Sequence, residues 1–236
     1  MGSNPIARFC LSRKQPRHSG LGFLNPHRIS FLFRQFFLLL RVLYGSLDLM
    51  LILGIDPGTA TTGYGLIEVT GVDFEFMEFG LIETKKTETP ENRLATIYEL
   101  MNIHIKRLTP DVMVIEKVFF SNNAKTAIRV GQAQGVMLLS AAQHRLPVVE
   151  YAPGTIKKLV TGSGRAKKKE VQIAVRQILG AKVRQNKSRR ITKTHIDNAV
   201  DALAIAICHV AKTLSLTPDA WGVSSVNTKG ATLQSL

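Results

Sequence analysis

Three strand-like segments follow one another between residues 51 and 84, and the connections between them are only a few residues long. The first segment is apolar and ends at Asp56 and a Pro-Gly pair, the second is rich in β-branched residues and glycine, and the third alternates between polar and apolar positions. Connections this short cannot contain the crossover that parallel strands need. We therefore predict an antiparallel meander over this part of the chain.

The remainder of the chain alternates between helix-like and strand-like segments. Helical spacing begins after Thr89, a residue suited to capping, and an apolar strand follows at residues 110–118. A second helix, another strand at residues 146–152 and two later helices complete the pattern. The combination predicts an α/β fold in which helices flank a mixed five-stranded sheet.

Composition divides the chain into three parts. Residues 1–49 contain seven Lys or Arg and one acid, and their apolar runs are too short to span a bilayer. We expect them to be a basic N-terminal extension, disordered or translated through a misassigned start; an organellar transit peptide or a membrane-surface helix are the alternatives. We expect a compact domain over residues 50–214 and a flexible polar tail over residues 215–236.

Charge and cysteine content restrict the partners and the compartment of the protein. The net charge is +14, and the segment from Lys157 to Lys193 has 13 Lys or Arg against the single acid Glu170. Such an excess favours a polyanionic partner, most commonly nucleic acid. The two cysteines, Cys10 and Cys208, provide no disulfide framework, which fits a cytoplasmic protein.

Three carboxylates occur where an α/β fold could bring them together. Asp56 ends the first strand and Glu116 ends the fourth, so both would lie at one sheet edge if these strands are neighbours. Asp201 lies in an apolar helical run, where a lone carboxylate is costly unless it is paired or binds a cation. Converging acids need cations between them, and Mg²⁺ suits a site made of oxygen atoms. Two such ions could activate water and stabilise the leaving oxygen of a phosphodiester.

Each acid also has a simpler interpretation. Asp56 could serve only the Pro-Gly turn, and Glu116 could be a solvated residue at a strand end. Asp197 is expected to be the N-cap of the last helix, which we predict over residues 199–214. Asp201 is the hardest to explain without a cation, because apolar residues surround it in the sequence.

Three longer stretches resemble the RuvC family of Holliday-junction resolvases. They are ILGIDPGTATTGYGLI, VIEKVFFSNNAKTAIRVGQAQGV and DNAVDALAIAICH, in the family's order and spacing from about Met50 to Lys212. The resemblance implies an RNase H-like fold, a homodimer, and Mg²⁺-dependent symmetric nicking of four-way DNA junctions in recombination and repair. The products would carry ligatable 5′-phosphate and 3′-hydroxyl ends. Whether a branch-migration helicase complex is a further partner stays open.

The resemblance also assigns a metal site. The family's catalytic, metal-binding acids fall at three positions of this chain: Asp56, Glu116 and Asp201. They imply two Mg²⁺ ions per subunit, for which Mn²⁺ could substitute. The fourth ligand of the family, usually Asp or His, falls on Asn198, which can bind a metal through its carbonyl oxygen but carries no charge. Asp197 and His195 are the alternative fourth ligands.

DNA-binding positions follow from the same resemblance. Phe119 matches an aromatic residue that stacks on bases at the opened crossover, and Lys157 and Lys168 match lysines that contact phosphates. Lys167 and Lys169 flank Lys168 and are expected to bind the backbone with it. The simpler alternative for Phe119 is a core aromatic residue at the end of a strand, and the simpler alternative for the lysines is a solvated run of charges.

The second predicted helix is rich in small residues, with Gly131 and Gly135 one turn apart. We expect it to form the dimer contact; close packing on the chain's own sheet is the alternative. Two other functions stay open: a noncatalytic junction-binding protein with a weakened metal site, and an RNase H-like nuclease acting on RNA. The family motifs disfavour the second, and a catalyst needs Asp56 whereas a binding protein does not.

Overall fold

The computed structural model describes residues 49–118, 124–180 and 193–223, except for the side chains of residues 193–196. The strands are β1 Leu49–Asp56, β2 Thr61–Thr70, β3 Asp73–Glu83, β4 Val112–Glu116 and β5 Val148–Tyr151. The helices are α1 Pro90–Leu108, α2 Ala124–Gln143, α3 Pro153–Thr161, α4 Lys168–Leu179 and α5 Lys193–Thr213, followed by a 3-10 helix at Pro218–Trp221. No helix within the described ranges is both long and apolar enough to cross a membrane.

The five strands form one mixed sheet in the order β3-β2-β1-β4-β5. Antiparallel pairing joins β1 to β2 and β2 to β3, which confirms the predicted meander. Parallel pairing joins β1 to β4 and β4 to β5. The first and fourth strands are therefore neighbours, as the proposed meeting of Asp56 and Glu116 requires.

Helices cover both faces of the sheet. On one face Leu53 and Ile55 of β1 belong to a buried cluster with residues of α1 and α2. On the other face Ile52 belongs to a second cluster, with residues of α3, α4 and α5. This division follows from the strand, because successive side chains point to opposite faces. Burial of one such aliphatic side chain contributes roughly 1.5–3 kcal/mol, so both clusters hold the helices firmly on the sheet.

Glycines in β1 and β2 let α5 lie directly on the sheet. A Cβ atom at Gly54 would collide with the backbone carbonyl of Ala202, and one at Gly63 would collide with that of Asn198. Gly63 is the strand partner of Asp56. The helix that carries Asp201 therefore contacts the strand pair at the end where Asp56 lies.

The prediction that Asp197 caps the last helix is wrong. The helix begins at Lys193, so Asp197 lies within it rather than before it. Its carboxylate contacts Arg176 of α4 at 3.4 Å. A partner on another helix satisfies this side chain, which therefore has no need to bind the first amides of α5.

The expected boundary at residue 214 is also too early. Within the region predicted to be a flexible tail, Pro218–Trp221 forms a 3-10 helix, and the Trp221 ring meets Phe74 edge-on at 6.0 Å between centroids. Val223 is only 1% exposed. Packed structure thus extends to Val223. Residues 1–48 of the expected N-terminal extension and the end of the tail lie outside the described residues, and Leu49, expected to belong to the extension, is the first residue of β1.

Candidate active site

Two of the predicted catalytic acids are the last residues of neighbouring parallel strands. Asp56 is the last residue of β1 and Glu116 is the last residue of β4. The preceding residues, Ile55 and Ile115, are paired across the two strands. The two carboxylates therefore leave the sheet at one edge, and on the α5 face, because Gly63 opposite Asp56 is covered by α5.

The turn after Asp56 is closed by another residue. The buried Thr62 hydroxyl donates a hydrogen bond to the Gly58 carbonyl at 2.7 Å and accepts one from the Gly58 amide at 3.3 Å. These bonds shape the Pro-Gly turn without the Asp56 carboxylate. The simpler interpretation of Asp56 as a turn residue is therefore not needed to explain the local backbone.

The third acid completes an electrostatically coupled group. Burial, together with the charges of Glu116 and Asp201, raises the pKa of Asp56 to about 7. Burial and the charge of Asp201 also raise the pKa of Glu116. The carboxylates thus repel one another in a site that is shielded from water, as carboxylates sharing a site do. We call Asp56, Glu116 and Asp201 the acidic trio.

One face of α4 presents donors to the acids of α5. Lys168 Nζ lies 2.5 Å from Asp201 Oδ2, Gln172 Nε2 lies 3.5 Å from Asp201 Oδ1, and Arg176 contacts Asp197. The three donors are four residues apart, the spacing that aligns side chains along a helix. Burial would lower the pKa of Lys168, but the hydrogen bond and charge of Asp201 raise it above its usual value.

The donor chemistry of the acidic trio fits a hard divalent cation. Within the described ranges no three His, Cys, Asp or Glu side chains converge closely enough to form a ready-made metal site. Lys168 contacts one oxygen of Asp201 instead, so an ammonium group supplies positive charge there. A cation held by oxygen ligands would relieve the repulsion that raises the pKa of Asp56. The residues present therefore fit a metal ion.

The candidates for a fourth ligand lie on α5. Asn198 is half-buried, one turn before Asp201, and its backbone covers Gly63 next to Asp56. Asp197 contacts Arg176 on α4. The His195 side chain lies outside the described ones. This placement brings Asn198 to the end of the sheet that carries the acidic trio.

The predicted phosphate-binding lysines surround the same site. Lys157 of α3 lies close enough to Glu116 to oppose the rise in its pKa that burial causes. Lys167 precedes α4, and Lys168 and Lys169 begin it; all three are exposed. Phe119 falls outside the described residues.

Sequence reasoning missed Gln172. It is 6% exposed, and its amide reaches Asp201. A glutamine within a helix has no motif of its own, and the one available signal was its position four residues after Lys168.

Comparison with known proteins identifies the family of this chain. The family model described as crossover junction endodeoxyribonuclease RuvC matches residues 52–209. The RuvC of Moorella thermoacetica is 46% identical over 162 residues, 69% of this chain and 92% of that protein. The RuvC of Pseudothermotoga lettingae is 44% identical over 162 residues, 69% of this chain and 94% of that protein.

Solved structures give the same result for the fold. Thermus thermophilus RuvC in complex with Holliday junction substrate matches with a TM-score of 0.60 and 28% identity, over 75% of this chain and 98% of that one. The predicted RNase H-like fold is therefore confirmed. Because the family model matches well over half of the sequence, the chain belongs to the RuvC family of crossover junction endodeoxyribonucleases.

Proposed function

We propose that this protein is a structure-selective endonuclease that resolves four-way DNA junctions by symmetric paired nicks, in recombination and DNA repair. The observation that carries the proposal is the acidic trio at one sheet edge, flanked by the lysines of α3 and α4, in a chain of the RuvC family. One solved relative is described as bound to a Holliday junction substrate. The charge distribution of this chain suits the same kind of ligand.

The proposed cofactor is Mg²⁺, two ions per subunit, with Mn²⁺ able to replace it. The acidic trio would hold the ions together with Asn198. When bound, such ions lower the pKa of water and stabilise charge on a phosphodiester. The oxygen donors of the trio and the raised pKa of Asp56 support this assignment.

The chain's own groups prepare the site for a phosphodiester. The charges of both other acids act on Asp56, whose pKa is raised to about 7. Lys157 and Lys168 offset part of the negative charge and would contact the phosphates that flank the cleaved bond. Lys167 and Lys169 extend this basic surface. Phe119 would stack on a base at the crossover, a contact worth roughly 1–3 kcal/mol.

An exposed face of α2 supports a homodimer. Ile128 and Leu139 are 58% and 52% exposed, and nothing lies within 4 Å of where a Cβ atom would stand at Gly131 or Gly135. The four residues fall on one side of the helix, since they are spaced by three to four residues. Among the described residues, these two glycines therefore do not pack on the chain's own sheet. We infer that this face contacts a second copy, which would bring a second acidic trio to the opposite strand of a junction.

A noncatalytic junction-binding protein is the second candidate function. Two observations favour it: Asn198 is neutral where the family usually has an acid or histidine, and Lys168 contacts Asp201. The basic surface would still bind DNA if the metal site were too weak for turnover. The intact acidic trio favours the catalyst.

Cleavage of labelled substrates by the full chain in Mg²⁺ tests the proposal. The substrates are a synthetic four-way junction, a linear duplex of the same sequence and an RNA–DNA hybrid. We expect paired nicks in opposed strands of the junction alone, and we expect DNA ligase to seal them. Saturated binding without nicks would favour the noncatalytic function, and cleavage of the RNA strand would favour a nuclease of another class.

A further inference from the structure

Gln172 contacts one oxygen of Asp201, a member of the acidic trio, from the buried face of α4. The side chain is 6% exposed, and its Nε2 atom lies 3.5 Å from Asp201 Oδ1. Within the described residues this is the one hydrogen bond that the side chain makes. A buried amide retains its place only with a partner, so the contact constrains both groups.

The two oxygens of Asp201 have different kinds of donor. Lys168 contacts Oδ2 with a charged, largely exposed side chain, whereas Gln172 contacts Oδ1 with a neutral, buried one. A lysine at this oxygen competes with any cation, because it supplies the same positive charge. A glutamine amide orients the carboxylate and leaves its negative charge available.

We propose that Gln172 is a positioning residue for Asp201. It donates to Oδ1 and so holds the carboxylate at the orientation in which its other oxygen, Oδ2, would bind a metal ion together with Asp56 and Glu116. The role rests on the proposed function, since it concerns the metal-binding state of Asp201. Groups that orient metal ligands in this way usually change metal affinity by about 10- to 100-fold when they are removed.

Gln134 provides a matched control. It is also buried, at 7% exposure, and its Nε2 atom lies 2.5 Å from the Glu150 carboxylate. It joins α2 to β5 and does not contact the acidic trio. Gln134→Met and Gln172→Met each remove an amide-to-carboxylate contact and keep a side chain of similar length. A merely structural role for Gln172 would make the two variants alike.

The experiment uses the full chain and three readouts. They are Mn²⁺ affinity by calorimetry without DNA, the Mg²⁺ concentration that gives half-maximal single-turnover cleavage, and junction affinity without metal. For Gln172→Met we expect at least about tenfold weaker Mn²⁺ binding, a matching rise in the Mg²⁺ requirement and unchanged metal-free junction affinity. For Gln134→Met we expect wild-type values of all three. Gln172→Leu removes the same donor and introduces a side chain of different shape. This variant replaces Gln172→Met in the experiment if the Met variant does not fold.

Two outcomes would overturn the role, and they are distinguishable. If wild type binds Mn²⁺ and cuts junctions while the Gln172 and Gln134 variants behave alike, Gln172 is only a structural residue and the proposed function stands. If the wild-type chain neither binds Mn²⁺ nor cuts, the proposed function fails and the positioning role fails with it.

Discussion

Lys168 Nζ lies 2.5 Å from Asp201 Oδ2, so the first residue of α4 brings a positive charge to the acids at the sheet edge. The same ammonium opposes the rise in pKa that burial causes at Asp56 and at Glu116. One lysine thus interacts with all three members of the acidic trio. In the absence of metal it provides part of the positive charge that a divalent ion would bring.

Removing this ammonium should make the folded protein depend more on metal. In EDTA we expect Lys168→Met to have a lower Tm than wild type, because the acidic trio loses a nearby cation. Saturating Mg²⁺ should then raise the Tm of the variant by more than it raises that of wild type. Lys169→Met is the control, since Lys169 is an exposed neighbour on the same helix. Equal Mg²⁺ stabilisation of the two variants would contradict the assigned charge balance.

The raised pKa of Asp56 predicts a pH dependence of metal-free stability. The folded pKa is about 7 and the ordinary value is 3.8. Between these values the folded chain holds a proton that the unfolded chain has released, so the free energy of unfolding falls as pH rises. The slope is at most ~1.4 kcal/mol per pH unit, and the contribution is lost fully once pH exceeds the folded pKa.

Denaturant unfolding in EDTA at about pH 5 and about pH 7 measures this effect. Wild type should lose more stability than Asp56→Asn over that interval, because the variant lacks the titrating group. Parallel curves for the two proteins would show that Asp56 ionises normally in the folded state.

Asn198 predicts weak metal binding that one substitution strengthens. Asn198→Asp adds a charged oxygen ligand one turn before Asp201, so the Mg²⁺ concentration for half-maximal cleavage should fall roughly tenfold. Asn92→Asp adds the same charge at an exposed position on α1 and should change nothing. An unchanged Mg²⁺ requirement in Asn198→Asp would remove this residue from the metal site.

The exposed face of α2 predicts the effect of new charges on assembly. We expect wild type to be a dimer and Ile128→Glu to be a monomer in sedimentation equilibrium, because a buried carboxylate without a partner opposes association. Ile103→Glu is the control, since Ile103 is 56% exposed on α1. Dimers that persist in Ile128→Glu, or that dissociate equally in Ile103→Glu, would place the interface elsewhere.

Local patterns predicted most of the sheet and the positions of the acids. Alternation and short turns predict the meander, and the apolar runs predict two strands that end at Asp56 and Glu116. These features depend on residues close in sequence. The approach of α5 was not predictable in detail, because it depends on Gly54 and Gly63 meeting a helix more than 130 residues later.

The predictions that failed concern contacts between distant segments. Aspartate commonly caps helices, but Asp197 has Arg176 on another helix as its partner. Residues 215–223 look polar and terminal, yet Trp221 packs on Phe74 and Val223 is buried. No pattern in the sequence predicts the helix α3, because it is only nine residues long and leads directly into the basic segment. Gln172 was missed for a similar reason, since its partner lies 29 residues away.

Single-turnover cleavage of a labelled four-way junction, at a protein concentration that saturates binding, tests the central claim most directly. Wild type and Asp56→Asn are compared in Mg²⁺, with junction binding measured for both. We predict paired nicks by wild type, none by Asp56→Asn, and comparable binding by the two proteins. Nicks by Asp56→Asn at the wild-type rate would contradict the assignment of catalysis to the acidic trio.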